Sequence, residues 1–271
     1  YSDPMEPSWA DLEVRKSADI IDKGLQRFDV KPGHSRNFYL KTKQLLSYFK
    51  SSSKPEPHRE WAKEIVDYYE KIQSGEFNRA RVDSFVPAAT NPEDLISTIE
   101  SRRSIRSFTE GAVPQSDLES ILDATAFASH SCNRQTIHAF MVCDPSLIQR
   151  CLPLNNGATG ITGPVKAFIC FCSDMRAYDF PKEILLPSLD TALGVQNACL
   201  VAHSLGLGMT LLNWSHASEE QEHALRDILG IPIYYRIVVN AIVGVPNNGA
   251  PIPERKSREA RFTVITPSFG E

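Results

Sequence analysis

The sequence lacks several patterns that mark common classes of protein. Its six cysteines form no C-x-x-C pair, so no zinc-finger or thioredoxin-type motif is present. The G-x-S-x-G elbow of nucleophilic-serine hydrolases is also missing. Net charge is only −4 in 271 residues, and the one compact basic run, residues 255–258, is flanked by glutamates. We therefore expect no metal site and no nucleic-acid partner.

No long uninterrupted apolar run is present either. The most apolar stretch, residues 185–214, is broken by Asp190, Gln196 and His203, which predicts a buried helix and strand and not a membrane span. Residues 1–13 are polar and acidic and do not resemble a signal peptide. Together with the absence of a disulfide-like cysteine pattern, this predicts a cytoplasmic protein in a reducing compartment, with no membrane contact.

Composition divides the chain near residue 93. Three amphipathic, charge-rich segments, 9–28, 36–50 and 57–74, are separated by Pro-, Gly- and Ser-containing turns. We predict that residues 1–93 form a helical extension that packs on the main domain or on a second subunit. The remaining residues, 94–271, form the main domain.

Helices and strands alternate in the main domain, which predicts a layered α/β or α+β architecture. A capping box at Ser116 to Glu119, after Pro114, predicts the start of one helix. The other predicted elements are strands at 137–143, 167–172, 209–213, 236–243 and 262–265, and helices at 187–204 and 218–229. The 187–204 helix has no polar face, which predicts burial on more than one side.

Two short segments carry the candidate chemistry. Residues 101–106 read Ser-Arg-Arg-Ser-Ile-Arg, and residues 131–135 read Ser-Cys-Asn-Arg-Gln. Guanidinium groups donate paired, charge-assisted hydrogen bonds to phosphate oxygens. Amide side chains offer both a donor and an acceptor, which suits the edge of a flavin ring.

Together these segments resemble the signature of the FMN-dependent nitroreductase family, which combines Arg-Arg-Ser-x-Arg with a later Ser-x-x-Asn-x-Gln. The matching order of motifs runs from residue 99 to the end of the chain. The resemblance implies an α+β fold with three α/β/α layers around a central mixed sheet. Residues 94–271 would be the FMN-binding domain, preceded by the helical arm of residues 1–93.

The same resemblance implies which residues hold the phosphate of FMN. Arg102 and Ser104 would bind the phosphate, with Arg103 in the same segment, and Arg106 would reach toward the ribityl chain or the pyrimidine end of the ring. A late Lys-x-Arg, here Lys256 and Arg258, would complete the phosphate site. A phosphate of nearly two negative charges needs several donors at once.

Other positions are implied to approach the flavin ring. Asn133 and Gln135 would face it, and the segment containing Leu212 and Asn213 would bring backbone amides near N5. No catalytic side chain is assigned, although His130 and His138 flank this region. Either histidine could donate a proton to the substrate, or could be an ordinary hydrogen-bonded side chain.

By resemblance, hydride would pass from NADH or NADPH through FMN to an electron-poor acceptor such as a nitroaromatic or a quinone. Family members are usually homodimers with FMN at the subunit interface. The chain departs from the family pattern at Ser129, Ile137 and Trp214, which are expected near the ring, and this leaves the substrate class open.

Two alternatives remain open at the level of sequence. One is an FMN protein with a specialised biosynthetic role, which the unusual ring-side residues Ser129, Ile137 and Trp214 suggest. Residues 22–25 and 31–33 also resemble an extension found on nitroreductase-like proteins of polysaccharide gene clusters. The other is a non-catalytic interaction protein that keeps the fold, with residues 1–93 as its working part.

Replacement of Arg102 by Ala is expected to release most of the FMN, because the remaining donors leave phosphate charge uncompensated. Flavin absorbance of the purified variant, compared with that of the parent protein, measures the loss. Unchanged flavin occupancy would show that the arginine motif does not hold the phosphate.

Overall fold

The computed structural model describes residues 7–27, 30–49, 56–76, 81 and 86–265. The helices in this part are α1 (Pro7–Leu25), α2 (Arg36–Tyr48), α3 (Pro57–Gln73), α4 (Pro92–Ser101), α5 (Gln115–Asp123), α6 (Pro145–Cys151), α7 (Leu186–Ser204) and α8 (Glu219–Leu229). The strands are β1 (Phe108–Thr109), β2 (Ile137–Val142), β3 (Ala167–Asp174), β4 (Gly208–Leu212) and β5 (Tyr235–Pro246).

The first three helices form a small bundle, as the three amphipathic segments predict. Residues 28 and 50 of those predicted segments lie outside the described residues. Helix α1 buries one apolar stripe against α2 and α3. The stripe consists of Ala10, Val14, Ala18, Ile21 and Leu25. The spacing of three or four residues places these side chains on one face of the helix. Burial of each Val, Ile or Leu side chain stabilises the folded state by about 1.5–3 kcal/mol.

A buried ionic cluster joins α1 to α3. Both carboxylate oxygens of Asp11 accept hydrogen bonds from Arg59, each at 2.7 Å, and His58 Nε2 lies 2.8 Å from the same carboxylate. Burial alone would raise the pKa of Asp11, but the hydrogen bonds and charges of His58 and Arg59 lower it to about 2. Asp11 is therefore ionised at neutral pH and holds the start of α3 on α1.

The main domain is built on one antiparallel sheet. Its strand order is β1-β5-β3-β2, and β4 also pairs with β5 on the β1 side. Parallel pairing within the described residues is limited to two single bridges, Ser104 to Met209 and Ser107 to Thr162. Parallel and antiparallel pairings therefore coexist, but every ladder between named strands is antiparallel.

Helices cover both faces of this sheet, which confirms the predicted α+β fold with three layers. Strand β3 is buried at every position and sends alternate side chains into two cores. Phe168, Cys170 and Cys172 enter the core beneath α6 and α8. Ile169 and Phe171 enter the core beneath α5 and α7. The two thiols share one face, 3.6 Å apart, as their alternation predicts.

Two sequence predictions in this domain are wrong. The capping box at Ser116 does not form, because Pro114 takes the N-cap position of α5 and Ser116 falls inside the first turn. Residues 262–265 are not a strand. They are exposed and unpaired in the described part of the chain.

Two helices were not predicted, namely α4 and α6. Each begins with a side-chain cap followed by proline: Asn91 Oδ1 accepts from Glu93 N at 3.1 Å, and Asp144 Oδ1 accepts from Leu147 N at 3.0 Å. Both caps satisfy amides at a helix start, and proline suits the first helical position. Residue 93 lies in the first turn of α4, so the division between residues 1–93 and 94–271 stays a prediction.

Helix α7 carries more apolar surface than the sheet covers. The stretch Pro181–Ser204 is long and apolar enough to cross a membrane by length and composition alone, a test that core helices of soluble proteins also pass. One side of α7 packs on the sheet through Val195, Ala198 and Ala202. Its opposite side exposes Leu189 and Leu193.

Substitution of Gly163 by Ala is expected to destabilise the domain by about 3 kcal/mol. Gly163 has a φ of 77°, and a Cβ at this position would lie 2.0 Å from the carbonyl oxygen of Phe108. Urea denaturation measures the change. The control is Gly249→Ala, since a Cβ there meets no atom within 4 Å. Equal stability of the two variants would contradict this packing.

Candidate functional site

The arginine-rich segment runs along the free side of β4. Ser104 forms a parallel bridge with Met209, and Thr210 Oγ1 donates to the carbonyl oxygen of Ile105 at 2.5 Å. On its other side, Thr162 N donates to Arg106 O at 2.8 Å, and Thr162 O accepts from Phe108 N at 2.9 Å. The segment is thus held between a strand and the loop of residues 155–164.

Arg103 has guanidinium donors with no acceptor. Its Nη1 donates to the carbonyl oxygens of Glu100 and Arg102, at 2.5 and 2.7 Å. Its Nε and Nη2 are buried and have no hydrogen-bond partner within the described residues. Because an unpaired buried donor is costly, a bound anion would satisfy this group. Arg102 and Ser104 are half-buried beside it, and Arg106 is exposed.

The side chains of the Leu212 segment are occupied by the protein itself. Leu212 is fully buried in the core, and Asn213 Oδ1 accepts from the backbone and the hydroxyl of Ser215, at 3.1 and 2.8 Å. Gly157 packs so closely that a Cβ there would lie 2.7 Å from Asn213 N. The approach of these backbone amides to N5 of the flavin stays a prediction.

The loop of residues 131–135 has an unusual backbone. Cys132, Asn133 and Gln135 have φ values of 51°, 48° and 50°, in the left-handed region that side-chain-bearing residues rarely adopt. Such conformations cost roughly 1–3 kcal/mol each and persist only where surrounding contacts impose them. Gln135 Nε2 donates to Asn133 Oδ1 at 2.9 Å, so the two amide side chains lie together at the surface of this loop.

A buried carboxylate imposes this conformation. Asp190, on α7, accepts hydrogen bonds from Ser131 N at 3.2 Å, Ser131 Oγ at 2.9 Å and Tyr178 Oη at 3.1 Å. Tyr178 Oη also lies 2.9 Å from Thr136 Oγ1. Burial raises the pKa of Tyr178, so its phenol remains a protonated donor at neutral pH. The network therefore fixes both ends of the loop.

The helical arm also contacts this loop, a contact that sequence reasoning missed. Arg15 Nε on α1 donates to the carbonyl oxygen of Arg134 at 3.2 Å, and Lys16 pairs with Asp179. The Arg134 guanidinium is buried and pairs with Glu183 at 2.6 Å. No periodicity in the sequence signals the two contacts made by Arg15 and Lys16, which join residues more than a hundred positions apart. The arm thus supports the loop that contains Asn133 and Gln135.

The predicted site residues fall into two separate groups. The first, on the β4 side of the sheet, contains Arg102, Arg103, Ser104, Arg106, Leu212 and Asn213. The second, Asn133 and Gln135, precedes β2 at the opposite edge. Three strand spacings of ~4.8 Å separate β4 from β2, and the residue registers add several steps of ~3.3 Å along the strands. Ser104 and Gln135 are therefore about 20 Å or more apart, which exceeds the length of one FMN molecule.

The remaining candidates lie elsewhere. Lys256 and Arg258 are exposed in the segment after β5, where the Arg258 guanidinium lies 5.2 Å from the ring centre of Phe262. Their predicted contribution to a phosphate site stays a prediction. The Trp214 side chain is buried in the core beneath α8, so it does not line the surface expected for it. No group of three or more possible metal ligands occurs among the described residues.

Comparison with known proteins identifies the type of domain. The model of the Nitroreductase family matches residues 99–171 and 155–245. The FMN reductase (NAD(P)H) of Bacillus subtilis is 27% identical over 183 residues, covering 62% of this chain and 72% of its own length. The NADPH-flavin oxidoreductase of Vibrio harveyi is 27% identical over 181 residues, covering 64% and 72%.

A solved structure agrees with the fold. The chain resembles a nitroreductase with bound FMN from Bacteroides fragilis, with a TM-score of 0.52 and 21% identity, over 65% of this chain and all of the other. At this level of identity the likeness concerns the fold. It agrees with the layered sheet described above.

Replacement of Asp190 by Ala is expected to destabilise the protein by about 2–4 kcal/mol, because it leaves the donors of Ser131 and Tyr178 without an acceptor. Hydrogen exchange should show faster opening of residues 131–136. Asp227→Ala, an exposed change on α8, is the control and should have little effect. Unchanged exchange in the Asp190 variant would mean that this network does not hold the loop.

Proposed function

Because this chain belongs to the nitroreductase family, we propose that it is an FMN-dependent oxidoreductase that uses NADH or NADPH to reduce an electron-poor acceptor such as a nitroaromatic or a quinone. The observation that carries the proposal is the arginine-rich segment beside β4, where the buried donors of Arg103 lack an acceptor. Relatives named as NAD(P)H-dependent FMN and flavin reductases support the same reaction class.

The residues beside β4 fit the phosphate of FMN. Arg102, Arg103 and Ser104 form the proposed phosphate site, and Arg106 extends toward the ribityl chain. Lys256 and Arg258 are proposed to add positive charge. Several guanidinium groups suit a phosphate of nearly two negative charges, since each can donate two parallel hydrogen bonds. The close packing of Ser104 and Ile105 on β4 keeps these donors in place without the ligand.

The ring-facing residues are proposed to come from two subunits. Within one chain, Asn133 and Gln135 lie too far from Ser104 to reach the same FMN. A second chain, related by a twofold axis, would supply its own Asn133 and Gln135 to complete the site. The backbone around Leu212 and Asn213 would come from the chain that holds the phosphate, since both lie along β4.

An exposed apolar surface supports this dimer. Leu185, Leu189 and Leu193 follow one face of α7 and are 75%, 53% and 43% exposed. Leu95, Ile96 and Ile99 of the neighbouring α4 are exposed as well. Large apolar side chains exposed on neighbouring helices are common at protein interfaces. We propose that this surface is covered by the second subunit, as the lack of a polar face on this helix led us to expect.

The protein's part in the reaction follows from these positions. When bound, FMN supplies hydride chemistry between the nicotinamide donor and the acceptor. Asn133 and Gln135 would orient the ring through hydrogen bonds, because the Asp190 network fixes their loop. Arg106 would place positive charge near the pyrimidine end, which favours a negatively charged reduced state. We further propose a cytoplasmic location.

The two alternatives have less support. The Trp214 side chain lies in the core, so this departure from the family pattern does not alter an exposed surface in this chain. Residues 7–25 of the arm pack on the main domain, where they support the loop of residues 131–135. A partner-binding protein without cofactor would leave the Arg103 donors unexplained.

Purified protein is expected to contain FMN and to turn over NADH or NADPH with a nitroaromatic or a quinone in steady-state assays. A colourless protein that shows no flavin absorbance after FMN is added would contradict the proposal. Very slow turnover with every generic acceptor, in a protein that does bind FMN, would favour the specialised biosynthetic role instead.

Subunit complementation tests the shared site. Arg102→Ala disables the phosphate half, and Asn133→Ala combined with Gln135→Ala disables the ring-side half. Each variant homodimer is expected to lose most bound FMN. Heterodimers, isolated by two different affinity tags, should regain about half of the parental FMN content, because one of the two sites is intact. Heterodimers no better than the parent variants would show that each site is built from one chain.

A further inference from the structure

A cavity of about 530 Å³ lies between the helical arm and the main domain. Its walls include Leu12 and Arg15 of α1, His58 of α3, His138 of β2, and Tyr235 of β5, and one end is bounded by Gln135. This volume is within the range of small-molecule sites, ~300–1,000 Å³. Nothing in the proposed reductase reaction requires a cavity at this position.

Arg15 is the cation of this cavity that lacks a carboxylate partner. Arg59 is held at both oxygens of Asp11, and Arg176 is held by Asp174 at 3.0 and 2.6 Å. In the part of the chain that is described, the Arg15 guanidinium makes one hydrogen bond, from Nε to a carbonyl oxygen. Burial lowers the pKa of Arg15, although Asp11 and Asp174 act against this. The guanidinium is half-buried, and its remaining donors can bind an incoming anion.

Two aromatic rings also line the cavity, together with the Asp174–Arg176 ion pair. The rings of His138 and Tyr235 lie 4.9 Å apart at 31°. Burial lowers the pKa of His138, and burial together with the negative charge of Asp174 raises the pKa of Tyr235 to about 12. Both rings are therefore neutral near pH 7. Leu12 adds apolar surface beside them.

We propose that this cavity binds a small aromatic monocarboxylate, with its carboxylate on the Arg15 guanidinium and its ring against His138 and Tyr235. A planar fork of donors matches a carboxylate in pairs, and flat neutral rings match an aromatic body. The carboxylates of Asp11, Glu56 and Asp174 also line the cavity, and their charge disfavours dianions such as phosphate esters. The bound ligand would connect the arm to the loop of residues 131–135, and its binding does not depend on the proposed reductase activity.

Isothermal titration of the purified, flavin-containing protein with benzoate tests the proposal. One benzoate is expected to bind per chain. Benzamide, which lacks the charge, and cyclohexanecarboxylate, which lacks the planar ring, are expected to bind at least about tenfold more weakly. Arg15→Gln should weaken benzoate binding by a similar factor. Arg150→Gln, an exposed change on α6, is the matched control and should leave it unchanged.

Benzoate binding that survives Arg15→Gln, equal binding of benzamide, or no binding at all would overturn the proposal. If Arg15→Gln does not fold, the Tm of the wild-type protein tests the proposal instead. Benzoate should raise this Tm and benzamide should not, and equal Tm shifts would contradict the proposed binding site. Failure of the reductase proposal appears separately, as absence of flavin. Benzoate binding in the cavity is measured by the heat of binding and by the shift in Tm, and neither measurement requires flavin.

Discussion

The register of the antiparallel sheet is the constraint on which the rest of the candidate site depends. Strands β4, β5, β3 and β2 lie in that order, and the pairings place Met209 beside Val243 but Ile137 at the level of Arg236. A shift of one residue would turn every core side chain to the other face. The register therefore fixes Ser104 and Gln135 at distant positions of one chain, and for this reason the proposed flavin site includes residues of a second copy.

The loop of residues 131–135 matters both for the stability of the domain and for its proposed function. Three left-handed residues are unfavourable by themselves, and the Asp190 carboxylate offsets that strain by accepting three hydrogen bonds. The arm adds a further contact through Arg15. These contacts hold Asn133 and Gln135 in fixed positions despite the unfavourable backbone conformation. This is consistent with their proposed role beside a cofactor, because fixed donors need little reorganisation when a ligand binds.

Sequence patterns predicted the family, the layered fold and most helices and strands, because alternation and helical spacing reflect burial directly. They missed α4 and α6, although Asn91 and Asp144 before prolines are start signals for helices. The predicted terminal strand at 262–265 failed, since four apolar or β-branched residues do not form a strand without a neighbour to pair with. Arg15 could not be predicted as a loop contact, because its partner is set by tertiary packing and not by spacing. Likewise, motif order cannot show that Ser104 and Gln135 are far apart, since this depends on sheet register.

Native mass spectrometry of the purified protein tests the shared site most directly, because it weighs each assembly with its bound cofactor. If two subunits share each site, FMN is found only on dimers, with two FMN per dimer at saturation, and monomers produced by dilution carry none. A monomer that retains FMN would contradict a shared site, because one chain would then supply a complete site.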